Sequence, residues 1–193
     1  HMVKQPVRTM ADLKGLKLRA PTRQTNKFLA ALGATPVAMP VPQVGEALAK
    51  GVIDGAVVPY EVVPSVKIQE LVKFHSETDP SEPAFYTSTF VFAMNQKKYD
   101  SLPADLKKVI DANSGQAFSG QIGKIFLEAD GEGKKLASKN TFNVIPKTEL
   151  ENWKKAGQPL IDAWVAEVTA KGVNGKQLLD GARALIAKHS ATK

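Results

Sequence analysis

The chain has 193 residues, of which 43% are hydrophobic, and it carries 26 Lys and Arg against 19 Asp and Glu. The absence of cysteine excludes disulfides and thiol chemistry, and no apolar run is long enough to span a membrane. The net charge of +7 rests mainly on lysines that are dispersed among acidic residues, which argues against a nucleic-acid-binding surface.

The first part of the chain predicts a compact βαβαβ block. Three short strands alternate with two helices, with strands over 16–19, 35–39 and 53–58 and helices over 25–32 and 43–50. Gly33 and Gly51 suit the ends of the two helices, and Pro59 stops the third strand. This order predicts parallel strands joined by right-handed crossovers, and therefore an α/β fold.

The rest of the chain is predicted to be mostly helical. We expect a short helix within 60–72, strands over 73–76, 84–94 and 142–145, and helices over 104–138, 149–171 and 176–188. The 84–94 run is rich in aromatic and β-branched residues and is predicted to be a buried strand. The apolar stripe of 104–138 is predicted to face the core, and Pro159 is predicted to kink or break the helix that contains it.

Arg19 is the best candidate for a binding residue. It closes the first strand, and ligands of open α/β sheets bind just beyond the carboxyl ends of the strands. A guanidinium there offers a rigid fork of donors for a carboxylate or a phosphate. The residues alone leave open that Arg19 is an ordinary surface side chain in a βα loop.

Four segments in order resemble the solute-binding proteins of tripartite ATP-independent periplasmic (TRAP) transporters, the DctP-like family. They are 12–21 (DLKGLKLRAP), 32–39 (LGATPVAM), 51–55 (GVIDG) and 102–110 (LPADLKKVI). The resemblance implies a two-lobed protein that closes around a small organic acid and delivers it to membrane permease subunits. It implies a periplasmic location, although no signal peptide is present in this sequence.

The resemblance also implies that the N-terminal part of the two-lobed fold is missing. We therefore expect a periplasmic-binding-protein-like lobe with a parallel βαβαβ core, a long lobe-spanning helix and C-terminal helices. Residues 1–2 resemble a tag remnant, 3–80 form the ligand-binding lobe, 81–140 hold a returning strand and the long helix of the other lobe, and 141–193 pack back on the lobes. Exposed apolar surface predicts association of two copies or exchange of elements between them.

Six residues are predicted to bind the ligand: Arg19, Thr22, Asn26, Val58, Tyr60 and Phe85. The resemblance implies that Arg19 pairs with the ligand carboxylate. Thr22 and Asn26 either cap the following helix or donate to an anion at its N-terminus. Val58 stands where the family commonly has a polar residue, often Asn, before a proline. Together with Tyr60 it favours an apolar acid, aromatic or aliphatic. Phe85 is expected either to line the cleft, as Tyr86 beside it also would, or to pack in the core.

Two other classes of function stay open on the residues alone. An effector-binding domain of a transcription regulator shares this kind of fold, but the sequence has no helix-turn-helix segment. A small α/β enzyme would need a nucleophile, paired carboxylates or a dinucleotide fingerprint, and none is apparent. No cofactor is expected, and His75 and His189 have no partners at metal-ligand spacing.

Overall fold

A computed structural model of the chain describes residues 1–84 and 86–190. The first part contains, in order, α1 (Met10–Leu13), β1 (Lys17–Arg19), α2 (Arg23–Ala31), β2 (Thr35–Val37), α3 (Val44–Ala49) and β3 (Gly55–Ala56). A 3₁₀ turn over Val41–Gln43 precedes α3, and another over Tyr60–Val62 follows β3.

The three strands form the predicted parallel sheet, in the order β2-β1-β3. Lys17 lies opposite Thr35, and Leu18 lies opposite Gly55. The strands are shorter than predicted. Pro36 sits inside β2, which is tolerated because β2 is an edge strand in this sheet and needs no donor on its outer side. The α/β fold predicted from the sequence is confirmed.

A second parallel pair consists of β4 (Phe74–Thr78) and β5 (Thr141–Ile145). Met2 joins the three-stranded sheet to this pair, because it makes antiparallel bridges to Gly55 on one side and to Phe74 on the other. Its N–H donates to the Phe74 carbonyl at 2.8 Å, and the Phe74 N–H donates back to the Met2 carbonyl at 3.1 Å. The chain's first residues therefore lie between β3 and β4.

The remaining helices follow from the central part of the chain to its end. They are α4 (Ile68–Leu71), α5 (Gln96–Asp100), α6 (Ala104–Ala112), α7 (Gly115–Leu136), α8 (Lys147–Ala170) and α9 (Gly175–Ser190). The helix predicted over 104–138 is divided in two, because Ser114 is extended and Gly115 has a φ of 80°. Pro159 lies inside α8 without ending it.

The core occupies both faces of the sheet. One cluster packs Leu18 against Leu29 of α2 and Trp153 of α8. The other packs Val44 of α3 with Ile68 of α4. Since side chains alternate along a strand, Leu18 and Arg19 point to opposite faces, and only Leu18 belongs to the first cluster.

Two predictions for the central part of the chain are wrong. Residues 86–94 form no strand, and Phe90, Val91 and Phe92 are 70%, 89% and 102% exposed. No described strand pairs with them, and an unpaired strand is not stable by itself. The apolar stripe of α6 and α7 is also largely exposed, as at Val109 and Ile125. In the described part of the chain, no helix is both long and apolar enough to cross a membrane.

Candidate functional site

Arg19 ends β1, and its side chain is only 5% exposed. Its Nε donates to the Met39 carbonyl at 3.2 Å, and an Nη1 hydrogen donates to the Val57 carbonyl at 3.2 Å. These carbonyls follow β2 and β3, so the carboxyl ends of three parallel strands meet at the guanidinium. Burial lowers the pKa of Arg19, but a guanidinium stays charged at any physiological pH.

Within the part of the chain that the structure describes, the Arg19 charge has no carboxylate partner. Every ion pair found within residues 1–84 and 86–190 joins a lysine to an acidic side chain, and none involves Arg19. Among the described residues, two backbone carbonyls accept from Arg19 and most of its five N–H donors have no acceptor. A buried cation without a counter-ion is unfavourable, so the position suits an anion that arrives from solution.

The N-terminus of α2 lies directly after this strand end. Thr22 caps the helix, and its hydroxyl oxygen accepts from the Thr25 N–H at 3.1 Å. The helix thus begins at Arg23, two residues before the predicted start at 25, because Thr22, Thr25 and Asn26 are all good capping residues. The Asn26 amide donates to the Thr22 carbonyl at 2.8 Å, while its Oδ1 is buried and accepts no hydrogen bond from the described residues.

A cavity of about 440 Å³ lies at the carboxyl ends of the strands. Its wall includes Val57 and Val58 after β3, the end of β4, and Ile145 at the end of β5. Of the predicted site residues, Val58 and Tyr60 line this cavity. Arg19, Thr22 and Asn26 are not part of its wall, although Arg19 borders it through the hydrogen bond to Val57.

Tyr60 is held in the cavity wall by several neighbours. Its ring stacks on Phe142 with 6.2 Å between centroids, and the Lys134 ammonium lies 5.8 Å from the Tyr60 ring centre. The carboxyl group of Glu77 lies near the Tyr60 hydroxyl and pairs with Lys134 at 2.7 Å. Burial and nearby carboxylates raise the pKa of Tyr60, so the hydroxyl stays protonated and can donate.

Helix α7 approaches the segment after β3 very closely. A Cβ atom at Gly133 would lie 2.0 Å from the Tyr60 carbonyl oxygen, so only glycine fits at this position. One turn earlier, Asp130 Oδ1 accepts from the Glu61 N–H at 2.8 Å. The long helix therefore positions a cavity-lining segment that is about 70 residues away in the sequence.

Tyr86 lies near both the Arg19 guanidinium and two acidic side chains of this region. It lines the cavity, and its hydroxyl lies 2.8 Å from Ser88 Oγ. Burial raises the pKa of Tyr86, while the Arg19 charge lowers it and the Glu61 and Asp130 carboxylates raise it. Tyr86 is therefore within electrostatic reach of both Arg19 and these two acidic groups.

Sequence reasoning missed three residues of this region. Asp130, Gly133 and Lys134 fall within a helical pattern that gives no local sign of contact with Tyr60. Phe85, which was predicted to bind the ligand, lies outside the described residues. Tyr86 beside it is in the cavity wall.

His75, next to the cavity-lining His1, is bound up in contacts with other side chains. No group of three or more His, Cys, Asp or Glu in the described residues is arranged to hold a metal ion. His75 is buried, with its Nδ1 at 2.5 Å from His1 Nδ1 and its Nε2 at 3.1 Å from the Asn140 amide nitrogen. Burial, the N-terminal charge and Lys134 lower the pKa of His75 to about 4. His75 is therefore neutral near pH 7 and hydrogen-bonded within the fold.

Comparison with known proteins places the chain in a family. The family described as bacterial extracellular solute-binding protein, family 7 (DctP), matches residues 1–167. Among curated proteins, the outer membrane transporter protein TsaT of Comamonas testosteroni is 28% identical over 185 residues, which are 94% of this chain and 54% of TsaT.

Solved structures show the same relationship. A TRAP solute-binding protein from Rhodoferax ferrireducens T118, with copurified benzoate, is 51% identical with a TM-score of 0.91, over 99% of this chain and 60% of its own. A marine metagenome TRAP solute-binding protein specific for aromatic acid ligands, with 3-hydroxybenzoate, is 42% identical with a TM-score of 0.89. This match covers 97% of our chain and 59% of the metagenome protein. The chain thus spans between 54% and 60% of the length of these three relatives. It belongs to the DctP family, the solute-binding proteins of TRAP transporters, which bind ligands rather than catalyse reactions.

Proposed function

We propose that this chain captures a small organic acid in the periplasm and passes it to the membrane subunits of a TRAP transporter. Family membership supports this role, since DctP-family proteins are periplasmic solute-binding proteins. The single observation that carries the binding step is the buried Arg19 guanidinium without a carboxylate partner among the described residues.

The walls of the site favour an aromatic acid. Val58 offers no hydrogen bond from its side chain, and Tyr60 and Tyr86 place rings on the same cavity. Two relatives with more than 40% identity were solved with benzoate and with 3-hydroxybenzoate. An acid of this kind buries its ring against apolar surface while its carboxylate meets the cation.

Binding in this proposal involves no bond-making. The acid pairs with Arg19, whose orientation is fixed by the Met39 and Val57 carbonyls. Thr22 and Asn26 add polar groups at the N-terminus of α2, where the helix dipole favours negative charge. An acid that binds the closed arrangement better than the open one stabilises closure.

Calorimetry with benzoate and the Arg19→Lys variant tests the binding step. Lysine keeps the positive charge but lacks the planar pair of N–H donors that a guanidinium offers to a carboxylate. Hydrogen bonds to charged groups contribute about 1.5–3 kcal/mol each. We therefore expect Arg19→Lys to bind benzoate at least ~10-fold more weakly than the parent chain. The matched control is Arg23→Lys, since Arg23 is an exposed arginine in the first turn of α2.

Equal benzoate affinity in Arg19→Lys and the parent, with circular dichroism unchanged, refutes the role of Arg19. Transfer is tested separately with vesicles that carry the cognate membrane subunits. There, uptake of labelled acid is expected to depend on the added chain and to fall with Arg19→Lys.

A further inference from the structure

Carboxylates outnumber the free cations around the cavity, and this bears on which acids can bind there. Three carboxylates lie on or next to it, those of Glu61, Glu77 and Asp130. The cations here are Arg19, Lys134 and the amino group of His1. Lys134 is already paired with Glu77 at 2.7 Å. The His1 amino group donates to the Ala56 carbonyl at 3.1 Å, and burial lowers its pKa to about 6, so it is mostly neutral at pH 7. Arg19 is therefore the one described cation in this region that is left for a ligand.

The two remaining carboxylates stand close to each other. Asp130 lines the cavity, and its Oδ1 accepts from the backbone N–H of Glu61 at 2.8 Å. Asp130 Oδ2 and the Glu61 carboxyl group accept no hydrogen bond from the described residues. Asp130 also raises the pKa of Glu61, as expected when two carboxyl groups share a small region.

The other arginines of the chain are occupied or lie elsewhere. Arg8 donates to Asn143 Oδ1 at 3.0 Å, and Arg23 is exposed in the first turn of α2. Arg183 lies in a second groove between α2, α8 and α9, which shares Tyr86 with the cavity. A second negative group on the ligand therefore meets acceptors and no free guanidinium in the described part of the cavity wall.

We infer that the site selects acids with a single carboxylate, and that Asp130, with Glu61, is the determinant that rejects a second one and accepts a hydrogen-bond donor such as a hydroxyl. This inference rests on the proposed function, because it requires the first carboxylate to sit on Arg19. Asp130 is a specificity determinant here and has no role in holding the first carboxylate.

Three acids that share one ring test the inference by calorimetry with the full chain. They are benzoate, 3-hydroxybenzoate and isophthalate, which differ only in the group at the meta position. We expect isophthalate to bind at least ~10-fold more weakly than benzoate, a difference of about 1.4 kcal/mol. We expect 3-hydroxybenzoate to bind at least as tightly as benzoate.

The variant Asp130→Asn removes the charge and retains an oxygen that can accept from the Glu61 N–H. We expect it to reduce the benzoate-to-isophthalate ratio at least ~5-fold, since like charges repel strongly at short range. Asp105→Asn on exposed α6 is the matched control and should leave the ratio unchanged. A merely structural role for Asp130 would weaken all three acids together and leave the ratio as it was.

The outcomes separate the two proposals. If benzoate binds and isophthalate binds within twofold of it, the specificity inference is wrong while the proposed function stands. An unchanged ratio in a folded Asp130→Asn variant also refutes it. If none of the three acids binds, the proposed function fails and this inference fails with it.

Discussion

The close contact between α7 and Tyr60 makes a quantitative prediction for two glycines in one helix. Gly131 and Gly133 are two residues apart in α7. A Cβ at Gly131 would meet nothing within 4 Å, whereas a Cβ at Gly133 would lie 2.0 Å from the Tyr60 carbonyl oxygen and 2.7 Å from its carbon. The same substitution therefore has opposite effects at the two positions.

The expected magnitudes follow from helix propensity and packing. Glycine is about 1 kcal/mol less favourable than alanine in a helix interior, so Gly131→Ala should raise the free energy of unfolding by ~0.5–1 kcal/mol. Gly133→Ala receives the same gain but forces α7 away from backbone atoms, and overpacking typically costs about 1–3 kcal/mol. The Asp130 bond to the Glu61 N–H is strained by the same displacement. We expect Gly133→Ala to be less stable than Gly131→Ala by ~2 kcal/mol or more.

Urea unfolding followed by circular dichroism measures both free energies on the same chain. A gap of this size corresponds to roughly 4–8 °C in melting temperature for a chain of this length. If Gly133→Ala proves as stable as Gly131→Ala, then α7 does not pack on Tyr60 as described. The assignment of Asp130 to the cavity wall would then fail as well.

Two further predictions concern stability. Because the pKa of His75 is lowered to about 4 in the folded chain from an ordinary 6.5, the unfolded state binds more protons between these values. In urea unfolding, the free energy of unfolding should therefore fall by up to ~3 kcal/mol as the pH drops from 6.5 to 4. His75→Asn should make the free energy of unfolding depend less on pH in this range. An equally strong pH dependence in the variant would contradict this role of His75. Glu149 accepts from the Met10 N–H at 2.6 Å and from Trp153 Nε1 at 3.1 Å, so Glu149→Ala should cost about 2 kcal/mol in the same assay. Glu151→Ala, which removes only an exposed pair with Lys154, should cost less than ~1 kcal/mol, and equal losses in the two variants would count against the role of Glu149.

The parts of the fold that the sequence predicted well are those set by local signals. Pro21 and Pro59 follow their strands, and Gly33 and Gly51 take positive φ values at or just after the ends of α2 and α3. Arg19 lies at the end of β1, as predicted, and Pro21 shortly after it has no N–H to continue the ladder. Local rules were weaker at the start of α2, where Thr22, Thr25 and Asn26 are all suited to cap the helix.

Contacts between segments that are distant in the chain could not be predicted from the sequence. Nothing near Asp130 or Gly133 signals that this turn of α7 packs on Tyr60, because the contact depends on how the whole helix lies. The run over 86–94 shows the reverse problem. Its aromatic and β-branched residues favour a strand, but a strand forms only where another strand offers hydrogen bonds.

The insertion of Met2 between β3 and β4 has a consequence for handling the protein. Met2 satisfies backbone groups of Phe74, while its neighbours His1 and Val3 pair with Ala56 and Asp54. Trimming these first residues would leave β3 and β4 as two bare edges that face each other across a gap. A strand edge with unpaired N–H and C=O groups is a template for pairing with another chain. We therefore expect protein that has lost these first residues to form intermolecular sheets more readily than the intact chain.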